Sequence, residues 1–459
     1  MIVRVFALGA LAFMLAGCTT YDKQISAVRE NYIAGDFDAA LAKTQKKQKD
    51  SGNDALIWKL EHATILRAAG RIDESVAAFD DAYDLYMENL DAAKIRLLRG
   101  GAELLTTPAN APYWGTGYDG IMIETYQALN ALQLGEVERA RVELVRAYDL
   151  QQEVVAANAG RIEKEQEEAA KNDNVRTAME SGKGQITSGI EQDTEISAEL
   201  SVYADYVNPF TVFLDGLYHG AVALDASDME RARRSMERVS VFAPRNAAVR
   251  HVVATLSQGR RIAPGVYVIF ETGMAPKLKE ESFKLVLPTQ HVSYVGLSYP
   301  KLVTSPAAVR YLCIRAGGVE VKTERVASMD AVIGREFNNN FPSILTKAIA
   351  ATATKTVAAA AVNEVAKRSK KTWMRIGIWV GTLFYQAATD VADTRSWQTL
   401  PKEFQVARLD IPSDRTLSLV SPNGTGQQSV KLMDGEVVVV YAKCISQFHD
   451  MTVAQFTLR

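Results

Sequence analysis

The chain has 459 residues, with 52 Lys and Arg against 54 Asp and Glu, a formal net charge of -2. That balance gives no global electrostatic reason for a nucleic-acid partner. A hydrophobic fraction of 47% supplies material for substantial cores, 13 Pro and 29 Gly are too few for a mostly disordered chain, and three Cys exclude a disulfide-stapled scaffold.

The first residues read MIVRVFALGALAFMLAGCTT: one basic residue at Arg4, an apolar run from Val5 to Leu15, then Ala16 and Gly17 before Cys18. This order is that of a secretory signal, too short to be read first as a spanning helix. Leu15, Ala16, Gly17 and Cys18 resemble the bacterial lipobox, which implies cleavage after residue 17 and lipidation (palmitate among the acyl chains) of Cys18. The mature chain then has 442 of the 459 residues and, having lost Arg4, a side-chain charge of -3. Several acyl chains make detachment unfavourable where one is marginal. By the same resemblance, Thr19 favours the outer membrane over inner-membrane retention, with the protein on the periplasmic face. The alternative is an ordinary secretory signal with a coincidental Cys.

From Tyr21 to about Gly259, apolar residues return at spacings of three and four among Ala, Leu, Glu and Arg, the pattern of packed amphipathic helices. Four windows resemble the second half of a tetratricopeptide repeat: Gly35, Phe37, Ala40; Gly70, Ile72, Ser75, Phe79, Ala82; Gly135, Val137, Ala140, Leu144, Ala147; and Met229, Ala232, Met236, Val239, Pro244. Gly35 and Gly70 lie 35 residues apart, near the 34-residue family period, but the next interval is 65 and Ser227 replaces the fourth Gly. The resemblance implies a TPR-like solenoid over residues 18–260, the rival being a non-repetitive helical domain. Within it, Thr107 to Gly120 carries Tyr113, Trp114 and Tyr118 among Gly and Pro and reads as a structured loop, for partner binding or for packing. Glu124 sits on an otherwise largely apolar helix as a candidate buried acceptor, and residues 161–171 form a charged helical extension.

Near Arg261 the period changes. PGVYVIFETG, ESFKLVLP, HVSYVGLSYP and AAVRYLCIRAG, and later FQVARLDIP, RTLSLVSPNG, EVVVVYAKCIS and MTVAQFTLR, are strand-like runs, with Asn423–Gly424 a candidate tight turn. Glu271, Glu280 and Glu281 near Lys277 and Lys279 read as a charged loop beside a strand, the alternative being a coordinating or catalytic group. Between the two strand blocks, about residues 341–393, lies an Ala-rich helical hairpin whose most apolar stretch, Ile376 to Tyr385, is too short to cross a bilayer. It is either buried against the strands or used for membrane contact or subunit packing. The fold class is thus α+β: an all-α array, then one mixed α+β domain over residues 261–459 that contains the insertion. Asp393, Arg395, Trp397, Leu400 and Pro401 suit a junction between hairpin and last sheet, with Arg395 pairing an acid and Trp397 burying a large face; a functional groove is the alternative.

The YxxGDFDAAL-like, VYVIFETGMAPKLKEE and ADTRSWQTLPKEFQVARLDIP segments resemble a poorly characterised family of bacterial lipoproteins with a helical N-terminal half. The chemistry is sparse. His62, His219, His251, His291 and His449 form no HExxH or other compact ligand set, and no Walker loop or GxSxG elbow occurs. Cys313 and Cys444, both in strand-like runs, either pair as a disulfide in an oxidising compartment or stay separate buried thiols. We expect no metal, no cofactor and no enzymatic activity. The expected role is a protein-binding scaffold or assembly and secretion accessory of the cell envelope, with the array offering an open concave surface to an envelope protein or a second copy. A regulator of cell-wall synthesis, an envelope glycan or peptide hydrolase, and a membrane-associated pore or remodelling component are the alternatives.

Overall fold

The computed structural model describes residues 21–50, 52–99, 111–171, 207–285, 295–306, 309–341, 343–344, 346–348, 392–422, 426–447 and 449–459. Cys18, His291, the Asn423–Gly424 turn and most of the expected hairpin, residues 349–391, lie outside them. The protein is mixed α+β with a helical N-terminal region. The described helices are α1 (Tyr21–Ala34), α2 (Phe37–Asp50), α3 (Ala55–Ala68), α4 (Ile72–Arg99), α5 (Gly117–Gln133), α6 (Val137–Lys171), α7 (Pro209–Val222), α8 (Ala226–Phe242) and α9 (Ala247–Leu256), with residues 329–341 also helical. The charged stretch 161–171 is the end of α6.

Three helical hairpins, α1–α2, α3–α4 and α5–α6, turn in the same way. At the first, Gly35 N–H donates to Tyr32 O and Asp36 N–H to Asn31 O; at the second, Gly70 and Arg71 bond Arg67 and Leu66; at the third, Gly135 and Glu136 bond Leu132 and Ala131. This pair of bonds is the Schellman ending, and it needs a left-handed residue, here Gly at φ +75°, +74° and +78°. The next helix then opens two residues after the Gly, on an apolar residue (Phe37, Ile72 or Val137). Gly35 has a further constraint, since a Cβ there would stand 1.5 Å from the His449 ring.

The strands are β1 (Gly265–Thr272), β2 (Lys277–Leu285), β3 (Val295–Val303), β4 (Cys313–Ala316), β5 (Val319–Lys322), β6 (Glu324–Ser328), β7 (Glu403–Leu409), β8 (Thr416–Val420), β9 (Gln427–Lys431), β10 (Val437–Cys444) and β11 (Thr452–Thr457). They form a five-stranded sheet ordered β11-β10-β1-β7-β6, a four-stranded sheet β5-β4-β8-β9 and the ribbon β2-β3. The two strand blocks separated by the insertion interleave: β1 pairs in parallel with β10 and antiparallel with β7. Glu280 and Glu281 are therefore on a strand, and Glu271 is in the centre of the large sheet, where the sequence suggested a charged loop.

All eight positions of β1 and of β10 are buried, the signature of strands covered on both faces. Val266, Val268 and Phe270, with Val438, Val440 and Ala442, pack against Ile314, Leu417, Leu419 and Val430 of the four-stranded sheet. The opposite face, with Tyr267, Ile269, Val439 and Tyr441, joins the core of the helical region. Phe210 of α7 stacks on Phe404 of β7 with ring centroids 3.8 Å apart. Helices, large sheet and small sheet thus form three layers, and the helical half shares its core with the sheet.

That layering corrects one expectation. The inner face of the array is not an open surface. It is filled by the large sheet and by the chain segment 392–402.

Candidate functional site: a groove filled by its own chain

Helix α3, ALIWKLEHATILRA, is apolar on nearly all sides and is buried from Leu56 to Ala68 except at Lys59 and His62. A helix buried all round must find partners for any polar side chain it carries. Glu61, Thr64 and Arg67 are those side chains, and each finds one in a different part of the filled groove.

Glu61 holds the segment. Its carboxylate accepts from the backbone N–H of Gln398 (2.7 Å) and of Thr399 (3.1 Å) and from the Tyr21 hydroxyl (2.8 Å). The same Tyr21 O–H is shared with Ser396 O (3.1 Å), and Tyr32 donates to Thr399 O (3.3 Å). Burial raises the Glu61 carboxyl above its ordinary range, and the Thr399, Gln398 and Tyr21 donors pull against that rise. Thr64 Oγ1 accepts from the indole N–H of Trp397 at 2.9 Å, and the Trp397 ring lies 6.0 Å from Phe79 and 6.1 Å from Tyr126. Residues 396–399, which turn at Gln398 and Thr399, are thus gripped in two ways: backbone groups by polar side chains, one large aromatic in a closed pocket.

Arg395 fixes the entrance. Its guanidinium bonds Asp393 (2.7 and 2.8 Å), Asp54 (2.9 Å) and Ala111 O (2.8 Å), and lies over the Tyr113 ring at 5.5 Å. Burial alone would lower its pKa, but Asp393 and Asp54 outweigh that and raise it. Leu400 O accepts from Ala275 N–H (2.7 Å), and buried Pro401 leads into Lys402, whose N–H bonds Thr272 O (3.0 Å). Asp393, Arg395, Trp397, Leu400 and Pro401 therefore meet in one place, but that place joins the segment to the helical array as much as to the sheet.

The aromatic loop is part of the same construction. Tyr113 N–H bonds Asn53 O (2.7 Å) and its hydroxyl bonds Asp119 (2.6 Å), whose carboxyl is pushed by burial up to about 6 against the Tyr113 and Thr116 hydrogen bonds. Thr116 and Asp119 form a capping box at the start of α5, and Glu336 accepts from Gly117 and Tyr118 N–H at 2.6 and 2.9 Å. Tyr113 and Tyr118 are buried and Trp114 is half-buried, so two of the three candidate binding aromatics are packed inside.

Arg67 reaches the third feature, a buried charge cluster between helices and sheet. Glu271 of β1 and Lys443 of β10, directly paired in register, form an ion pair at 2.9 Å, with neither side chain more than 6% exposed. Tyr441 donates to Glu271; the Arg67 guanidinium stands 4.8 Å above the Tyr441 ring and donates to Asn130. Burial would lower Lys443, yet Glu271 and Tyr32 together raise it.

The chain matches no family model, no curated relative and no solved structure.

Several further titratable groups pair structurally. Ser235, Asp215 and His219 include the residue types of a hydrolytic triad, but Ser235 Oγ (2.7 Å) and His219 (3.2 Å) both go to Asp215, which Arg231 also binds at 2.7 Å. Serine and histidine are not in series, so no proton relay to the hydroxyl exists. Asp215 is held below its ordinary range by His219 and Arg231 despite burial, which acts the other way. Cys313 and Cys444 are free and buried in different sheets, so the possible disulfide is not formed. Cys444 Sγ donates to Ser446 O (3.4 Å), and burial pushes its thiol up to about 11, which keeps it protonated and a poor nucleophile. Among the described residues no three His, Cys, Asp or Glu gather at metal-binding spacing, and no helix is long and apolar enough to cross a membrane.

Glu124 does more than accept. Burial, then a hydrogen bond with Glu143 and that group's charge, push it up to about 9, so it is a proton donor at neutral pH. Glu143 is bound by Arg146 (3.0 Å) and Arg139 (3.4 Å), and Arg139 also binds Asp80 (3.1 Å). A folded-state pKa above the unfolded value of 4.5 contributes stability that is complete below pH 4.5 and lost as pH rises through about 9. Denaturant titrations of wild type and Glu124→Gln from pH 5 to 9.5 should show wild type losing stability relative to the variant by up to about 1.4 kcal/mol per pH unit. A pH-independent difference would refute a shared proton.

Proposed function

We propose that this chain is a lipid-anchored lipoprotein of the outer membrane, facing the periplasm, and that it acts as a non-enzymatic protein-binding scaffold or assembly accessory of the cell envelope. The observation that carries the reading is the use to which the array is put: Glu61, Tyr21, Tyr32 and Thr64 grip residues 396–399 through backbone and indole bonds. The TPR-like reading of the repeated Gly turns supports the same conclusion, since stacked helical repeats create concave binding surfaces along their inner face. Here that face is satisfied within the chain. Partner contacts then fall to the outer helices, where Val142, Tyr148, Leu224 and Val241 are exposed apolar or aromatic side chains on α6, α8 and the turn before α8.

The test is photo-crosslinking in intact envelopes from probes at Val142 and Val241, with Cys18→Ala as the mislocalised control and mass spectrometry of the adducts. A specific envelope protein attached at both positions, and lost in Cys18→Ala, supports the scaffold. No specific adduct, together with turnover of glycan or peptide by the purified protein, overturns it in favour of a hydrolase.

A further inference from the structure

Tyr21, the first described residue, is locked into the body: it is 5% exposed, bonded to Glu61 and Ser396, with its ring 5.2 Å from Trp58. Three residue steps separate it from Cys18, a fully extended reach of at most about 11 Å at ~3.3–3.6 Å per residue. A lipid-bearing cysteine has its acyl chains in the hydrocarbon layer, so its backbone stays at headgroup level. An anchored chain whose first fixed residue is so near cannot hang free of the surface.

The edge around Tyr21 is a single rigid assembly. Asp54, at the end of the short helical turn Gly52–Asp54, adds to the field on the Tyr21 hydroxyl and binds Arg395 (2.9 Å). Arg395 in turn binds Ala111 O (2.8 Å), and Tyr113 N–H binds Asn53 O (2.7 Å), so the 111–116 loop is clamped to the same turn. Lys23 and Asn53 are exposed there, and Trp114, half-buried on the loop, is of the residue type that favours the headgroup layer.

We propose that this edge, made by the start of α1, the turn Gly52–Asp54 and the loop 111–116, lies directly against the lipid headgroups, held down by the short leash from Cys18. The inference rests on the lipidated reading of Cys18 and adds an orientation to it: the start of α1 and the turn before α3 are membrane-proximal, and α8, which packs on α7, α9 and β6 rather than on that edge, is held farther from the surface. Outer-helix partners would then be met away from the bilayer.

The full-length lipidated protein is reconstituted in phosphatidylethanolamine and phosphatidylglycerol vesicles containing a small fraction of nickel-chelating lipid. A nitroxide is placed at Lys23→Cys or at Val241→Cys, both exposed positions, and intact mass of the N-terminal peptide reports lipid on Cys18. Relaxation by nickel should be several-fold stronger at position 23 than at 241. Inserting twenty Gly and Ser residues before Tyr21, a flexible span of roughly 25 Å, should remove most of that contrast. With lipid confirmed, equal relaxation at the two positions, or a contrast that survives the insertion, overturns the docked edge while leaving the anchor intact. A peptide without lipid overturns the anchor and the leash together.

Discussion

Trp397→Ala should cost about 3–5 kcal/mol and lower the stability of both halves of the protein by the same amount. Trp397 is fully buried, fills the space between Phe79, Tyr126 and α3, and donates to Thr64, so truncation removes a large apolar volume and an indole bond at once. The segment itself cannot shift to close the hole, because Glu61 holds the next two backbone N–H groups. Trp397→Phe should cost less, about 1–2 kcal/mol: the ring volume is mostly kept, and the Thr64 hydroxyl still donates to Leu60 O at 2.9 Å. Guanidinium unfolding followed by far-ultraviolet circular dichroism and by fluorescence would give coincident curves for wild type and for both variants, shifted in midpoint at constant slope. Helices that melt before the sheet in wild type would refute the common core.

The pair Glu271–Lys443 gives the second large effect. Lys443→Met or Glu271→Gln alone strands the opposite charge in a fully enclosed site and should cost about 3–5 kcal/mol. The double variant Glu271→Gln/Lys443→Met removes both charges and should recover most of that loss, because burying an ion pair is itself expensive. The coupling read from the four proteins in urea is the discriminating quantity. Additive losses would mean that each side chain is stabilised mainly by others, Glu271 by Tyr441 and Lys443 by Tyr32, rather than by its partner on the adjacent strand.

The helices were readable because their physics is local. Apolar spacing marks the region that holds α1 to α9 as helical, and the Gly endings follow from a backbone conformation that other residues rarely adopt. Strands with β-branched runs, such as GVYVIFET and VVVVYAKC, announce themselves in the same way, whereas β5 (VEVK), β6 (ERVAS) and β9 (QQSVK) are too short and polar to do so. The residues at the junction were legible as a group, from Asp393 to Pro401. Their destination was not, since nothing local records that residue 397 will meet residue 64. One signal was available and missed: a helix as apolar on all sides as LIWKLEHATIL is buried, so its Glu61 and Arg67 had to be paired inside. Glu271 misled for the opposite reason, because a carboxylate at the end of a strand usually marks the surface, and its counter-ion lies 172 residues away on β10.

The parallel contact of β1 with β10 and the lodging of residues 396–399 among the first helices set the order of events in biogenesis. Tyr21 waits for a carbonyl 375 positions later, and Ile33 O for a hydroxyl 413 positions later. A chain synthesised from its N-terminus delivers α1 to α5 with their tryptophan pocket vacant and their apolar lining wet. Those helices cannot reach their final state until nearly the whole polypeptide has emerged, since the groove closes only through contacts remote in sequence, the kind that form late in folding.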